Sequence, residues 1–236
     1  MTLITLGYAF LGGLLPALIW LYFLLKEDAR CPEPRRLIAL TFIAGMAAVP
    51  LVLPLEEAAK TYFGGSFPTL LAWAAIEEVM KYAMAAVFIL WRRSVDEPSD
   101  YVIYMLTVAL GFAAAENMLF LVAPLAGGHF ASGLVTGDLR FLGSTLLHVV
   151  ASSVIGFSLA FSSARGPLRR VTAVSLGLIL AIALHTAFNT LIISEGDSSP
   201  ISAFFLVWSL AVVFFAALEV LKYFEYRDLP ANICPP

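Results

Sequence analysis

Long apolar runs separated by short polar stretches dominate the chain, and seven of them reach the length needed to cross a bilayer as helices, about 20 residues each. They are Leu3–Leu25, Leu37–Leu55, Pro68–Trp91, Tyr101–Leu125, Phe141–Ser163, Val171–Ile193 and Ile201–Phe224. Turn-forming residues fall between them: CPEP at Cys31–Pro34, DEPSD at Asp96–Asp100, Gly127–Gly128 and RGP at Arg165–Pro167. The second run is short, and Pro50 and Pro54 interrupt its end. A proline removes a backbone donor and clashes with the preceding turn, which predicts a helix that breaks near the surface there. The pattern as a whole predicts an all-α fold, a polytopic transmembrane helix bundle of about seven spans forming one domain over residues 1–236.

Composition agrees with that pattern. The 236 residues are 61% hydrophobic and 13% charged, against about 25% charged in a soluble domain. A net charge of −3 leaves no basic surface for nucleic acid. The expected surroundings are a lipid bilayer, and the expected localisation is the cell membrane, as a multi-pass protein. MTLITLGYAF lacks the positive segment of a cleavable signal, so the first span is expected to remain. Cys31 and Cys234 show no metal-ligand spacing and read as free thiols.

Basic residues set the expected orientation. Lys26, Arg30, Arg35, Arg36, Arg92, Arg93, Arg165, Arg169, Arg170, Lys222 and Arg227 fall on one side, whereas the other holds only Lys60 and Arg140. The positive-inside rule then places the N-terminus outside and the C-terminus in the cytoplasm.

Four runs carry strongly polar residues in their interiors, where an unpaired charge costs roughly 2.5–3.5 kcal/mol or more. Glu77, Glu78 and Lys81 lie in the third, Glu116 and Asn117 in the fourth, His148 in the fifth, and His185 and Asn189 in the sixth. Lys81 is an i,i+4 neighbour of Glu77 and an i,i+3 neighbour of Glu78, so it can neutralise one and leave the other available. Counted from the outer end of each run at 1.5 Å per residue, Glu78, Glu116, His148 and His185 share a layer roughly 10–15 Å deep. Small and polar residues recur one turn apart beside them: Ser144, His148, Ser152 and Gly156 on one helix, Gly177, Ala181, His185 and Asn189 on another. Such stripes let membrane helices approach closely, which predicts a buried polar pocket opening toward the outer face.

Two imidazoles with several carboxylates match a divalent metal such as zinc, with a remaining glutamate as general base for water. A carboxylate could also activate water directly, with histidine and asparagine stabilising the oxyanion. Both routes are hydrolysis, and the residue inventory leaves both open. There is no HExxH, every aspartate falls outside the apolar runs, and no GxSxG surrounds Ser144. A proton- or cation-coupled transporter is the alternative, since such residues also build relays. Against it, the sequence has no evident inverted repeat.

The ordered set of EEVMK at Glu77–Lys81, LGFAAAEN at Leu110–Asn117, the isolated His148 and HTAFN at His185–Asn189 resembles the PrsW family of intramembrane proteases, within the CAAX prenyl protease and bacteriocin-processing superfamily. The likeness extends from about Lys26 to Asn189. It implies peptide-bond hydrolysis in a membrane protein or peptide substrate, of the kind of a single-span anti-sigma factor cut on its outer side. It implies a metal-dependent site centred on Glu77, Glu78, Glu116, His148 and His185, with Asn117 and Asn189 in support, inside a core of about residues 68–193. Glu78, Glu116, His148 and His185 are the expected metal ligands, and zinc the expected ion.

Two features are set apart from that group. Glu56, Glu57 and Lys60 repeat the EExxK spacing but precede TYFGGSFP rather than an apolar run, so they read as a solvated turn of helix that could alternatively gate substrate. His129, between glycine and phenylalanine in a loop, reads as a surface histidine.

Overall fold

The computed structural model describes residues 3–65, 67–193 and 199–227. It is a helical bundle: α1 (Leu3–Glu27), α2 (Arg35–Phe63), α3 (Phe67–Phe88), α4 (Pro98–Ala126), α5 (Phe130–Leu139), a π-helical turn (Arg140–Ser144), α6 (Thr145–Ser162), α7 (Pro167–Ile193) and α8 (Ser199–Tyr226). Among the described residues six segments are long and apolar enough to cross a membrane: α1, α2, α4, Gly137–Ser162, α7 and Ile201–Tyr226. Helix α3 is the remaining long one, 22 residues, and carries Glu77, Glu78 and Lys81.

Helix α4 is the axis of the bundle, and Ser99 through Ala114 are all buried. Its start is fixed locally. The Asp100 carboxylate accepts the backbone N–H of Glu97 at 2.8 Å and of Asp96 at 3.0 Å, and Pro98 follows the cap, a capping box with a pre-set first turn. Helices α1, α2 and α6 pack around it. Glycines allow the backbones to meet: a Cβ on Gly45 would sit 2.1 Å from the Val108 carbonyl oxygen, and one on Gly111 2.0 Å from that of Phe42. The expected small-residue stripe on α6 is used likewise, with Gly156 against the backbone of Val102.

The predicted break in the second helix does not occur. Helix α2 runs through Pro50 and Pro54 to Phe63 and stops at Gly64, whose φ of 75° is the left-handed cap glycine favours. Both prolines are exposed. Of the three residues expected on a solvated turn, Glu57 and Lys60 are exposed whereas Glu56 is half-buried, and His129 is an exposed loop residue. Cys31 is disulfide-bonded, which corrects the expectation of a free thiol, and Cys234 lies outside the described residues.

At the other end, beyond α1, Asp28 is buried and accepts the backbone N–H of Glu33 at 3.2 Å. Burial, aided by the charges of Asp100 and Glu97, pushes its carboxyl up from 3.8 to about 7, and burial also raises Glu33 and Glu97. Raised carboxyls favour the fold while protonated, so this stabilisation is full below the unfolded value and is lost as pH climbs through about 7. The melting temperature in detergent should therefore fall between pH 5 and 8, and Asp28→Asn should lessen the slope. Tryptophan fluorescence melts across that range check it, and equal slopes for both proteins would rule it out.

Candidate active site

The third, fourth, sixth and seventh helices bring their polar residues to one place. On α3, Lys81 Nζ lies 2.7 Å from Glu78 Oε1 and 3.4 Å from Glu77 Oε2, and reaches His148 Nδ1 on α6 at 2.8 Å. The ammonium also sits 4.4 Å above the Phe112 ring, so it is satisfied on every side although fully buried. Glu78 accepts from two further helices: His185 Nδ1 on α7 at 2.8 Å and Ser152 Oγ on α6 at 3.1 Å. A buried ion pair is tolerated only with such additional hydrogen bonds.

These bonds assign the imidazole protons. An ammonium has only hydrogens to give, so His148 Nδ1 accepts from Lys81 and its Nε2–H donates to Glu116 Oε2, 2.9 Å away. His185 donates through Nδ1 to Glu78, which leaves the Nε2 lone pair directed toward Glu77 Oε2 at 3.9 Å. The two rings stand edge to face with centroids 5.2 Å apart.

Beside these groups lies a cavity of about 760 Å3 with largely apolar walls. It is bounded by the last turns of α2 and α7, the first turns of α3 and α8, the second half of α4, and the π-helical turn. Glu77, Glu116, His148, His185 and Asn189 face it. Glu78 and Asn117 do not: Glu78 lies behind His185, and Asn117 is buried, donating to Thr145 Oγ1 at 2.9 Å.

Arg140 is the residue that sequence reasoning placed elsewhere, as a basic residue of an outer loop. It opens the π-helical turn and points inward, with Nη2 2.5 Å from Glu116 Oε2 and 3.0 Å from Ser144 Oγ, and Nε 2.5 Å from Asn117 Oδ1. Its guanidinium carbon is 3.9 Å from the Phe120 ring centroid. Glu116 is thus held between an arginine and a histidine from different segments. The only available signal was an arginine four residues before Ser144, on the small-polar stripe that continues through His148.

One donor atom from each of Glu77, His148 and His185 lies within 4.8 Å of the others, the one such group found among the described residues. Two imidazoles and a carboxylate on the wall of an open cavity are the donor types a divalent ion of the zinc type takes in catalytic sites, which keep a position open; to join them His148 Nδ1, the nitrogen nearer Glu77, would exchange its hydrogen bond from Lys81 for the ion, while its Nε2–H stays on Glu116. The His185–Glu78 bond is the carboxylate support that orients a ligating histidine. Glu78 and Glu116, expected as ligands, lie outside the group. Glu78 is engaged by Lys81, His185 and Ser152, and Glu116 lies across the His148 ring from Glu77.

Residues 33–218 match the family described as PrsW family intramembrane metalloprotease. The chain is similar to Protease PrsW of Bacillus subtilis (strain 168), 25% identical over 181 residues, 75% of this chain and 79% of that protein. It is similar likewise to Protease PrsW of Geobacillus kaustophilus (strain HTA426), 26% identical over 232 residues and 95% of each chain. A third relative is Protease PrsW of Shouchella clausii (strain KSM-K16), 24% identical over 208 residues, 86% of this chain and 93% of that protein. No solved structure matches. The family match spans most of the sequence and takes in every polar residue of the site, and the chain therefore belongs to the PrsW family of intramembrane metalloproteases.

Proposed function

We propose that the protein is an intramembrane endopeptidase that cuts membrane-anchored substrates of the single-span, anti-sigma-factor type on the outer side. Its N-terminus is outside, its C-terminus is cytoplasmic, and its catalytic core is about residues 68–193. We also place it, with its family, in the CAAX protease and bacteriocin-processing superfamily. The observation that carries this reading is the meeting of Glu77, His148 and His185 within 4.8 Å on the wall of a cavity large enough for several residues of extended peptide.

Glu77, His148 and His185 would hold a divalent ion, with zinc the best match to the donors; when bound it polarises the scissile carbonyl and promotes ionisation of water. Glu116 is the other carboxylate on this part of the wall, and it receives the proton of the attacking water. Arg140 and His148 pin it in position, and Asn117 completes that arrangement through Arg140. Glu78 fixes the tautomer of His185. Asn189, one turn after His185 on α7, lines the cavity and offers an amide donor to the oxyanion.

The test uses purified protein in detergent with a single-span peptide, read by mass spectrometry beside elemental analysis. Cleavage with about one metal ion per chain, lost on chelation and regained with zinc, is the expected result. Full cleavage by metal-free protein would remove the metal from the reading. Ion-driven flux in liposomes with no cleavage would replace the reading by a transporter.

A further inference from the structure

The Glu56 carboxylate stands apart from the catalytic group, on the same cavity. It repeats the spacing of the site motif in the last turns of α2, yet differs from its neighbours: Glu57 and Lys60 are exposed, whereas Glu56 is half-buried and lines the cavity. Among the described residues no hydrogen bond or ion pair engages its carboxylate, and its electrostatic neighbours are Glu77, Glu116, Lys81 and His185. Its place is fixed by the backbone, since the Trp73 indole N–H donates to the Glu56 carbonyl oxygen at 2.8 Å. The cavity it lines also has Leu53, Leu70 and Phe204 on its walls. A charge against such walls is screened far less than one in open water.

Among the described residues the cavity has one lysine or arginine on its wall, Arg140, and Glu116, Asn117 and Ser144 already occupy it. Three carboxylates (Glu56, Glu77, Glu116) therefore face the space with a single guanidinium. Glu77 and Glu116 have assigned work, and Glu56 has none. Resting on the protease reading above, we infer that Glu56 is a specificity residue that receives a lysine or arginine side chain of the substrate close to the scissile bond.

Geometry sets the spacing. Trp73, whose indole binds the Glu56 carbonyl oxygen, is one helical turn before Glu77 on α3, so Glu56 and Glu77 line neighbouring parts of the cavity and the basic residue falls within a few positions of the cleaved bond. Hydrophobic walls on either side suit the apolar neighbours of such a residue in a membrane-anchored substrate.

The experiment uses the full chain in lipid nanodiscs and a set of single-span peptides. Each carries lysine, glutamine or glutamate at one position within three residues of the cleaved bond, mapped by mass spectrometry. For the unaltered protein, lysine at one of these positions is expected to exceed glutamine in kcat/KM by about five- to tenfold, the size of a partly desolvated ion pair. The same ratio measured within Glu56→Gln is expected to be near one, and Glu56→Lys is expected to prefer the glutamate peptide. Cleavage by the unaltered protein with no preference at any position overturns the inference while leaving the protease reading intact. An unchanged lysine preference in Glu56→Gln does the same. Failure of the unaltered protein to cut any peptide sinks the protease reading and this inference together.

Discussion

Replacing Glu116 by glutamine is expected to lower kcat for peptide cleavage roughly 10²–10⁴-fold, the range for loss of a general base, while bound metal is retained. The amide keeps the shape of the carboxylate and can still accept from His148 and Arg140, which hold Glu116 through one oxygen, at 2.9 and 2.5 Å. What it cannot do is take a proton from water. Glu77→Gln provides the contrast. Glu77 belongs to the three-donor group, so its loss is expected to lower both metal content and cleavage. Elemental analysis beside single-turnover cleavage separates the two variants. Cleavage by Glu116→Gln within tenfold of the unaltered protein would show that another group moves the proton.

The second large effect concerns stability. Lys81→Met removes the cation from between Glu77 and Glu78 and leaves Glu78, fully buried, with an uncompensated charge. Breaking a buried pair in this way costs about 3–5 kcal/mol. Adding Glu78→Gln to Lys81→Met is expected to recover much of that loss, because the amide oxygen still accepts from His185 Nδ1 and the one carboxylate left beside the methionine is Glu77, which lines the cavity. Denaturation by sodium dodecyl sulfate in mixed micelles gives the comparison. A double variant as unstable as Lys81→Met alone would mean that the ammonium acts through packing against Phe112 and not through charge.

These two experiments fall on residues whose importance was legible in the sequence, and the reason is physical. A charge in an apolar run is conspicuous because lipid penalises it, and shared depth across four runs pointed to one site. Partner choice was not legible. Lys81 can reach Glu77 or Glu78 by helical spacing alone, and the stronger pairing with Glu78 goes with acceptor contacts to Ser152 and His185, which arrive from other helices. For the same reason the three converging donors include Glu77, where Glu78 was expected. Arg140 was hidden because the apolar run begins at Phe141, which leaves the arginine in a loop, whereas the π-helical turn carries the helix back through it and keeps it on the face of Ser144 and His148. The continuity of α2 was hidden because an interior proline removes a hydrogen bond and crowds the carbonyl one turn back, which in the sequence reads as a break. Membrane helices commonly absorb such losses.

The burial of α4 also bears on the order in which the bundle comes together. Two of its main partners, α1 and α2, precede it in the chain, whereas α6 follows. During synthesis from the N-terminus, the first four helices can dock as soon as the fourth emerges, carrying Glu77, Glu78 and Glu116 with them. His148 and His185 come later, on α6 and α7. A nascent chain thus holds the acids before it has either imidazole, and the three converging donors can meet only once α7 has been made.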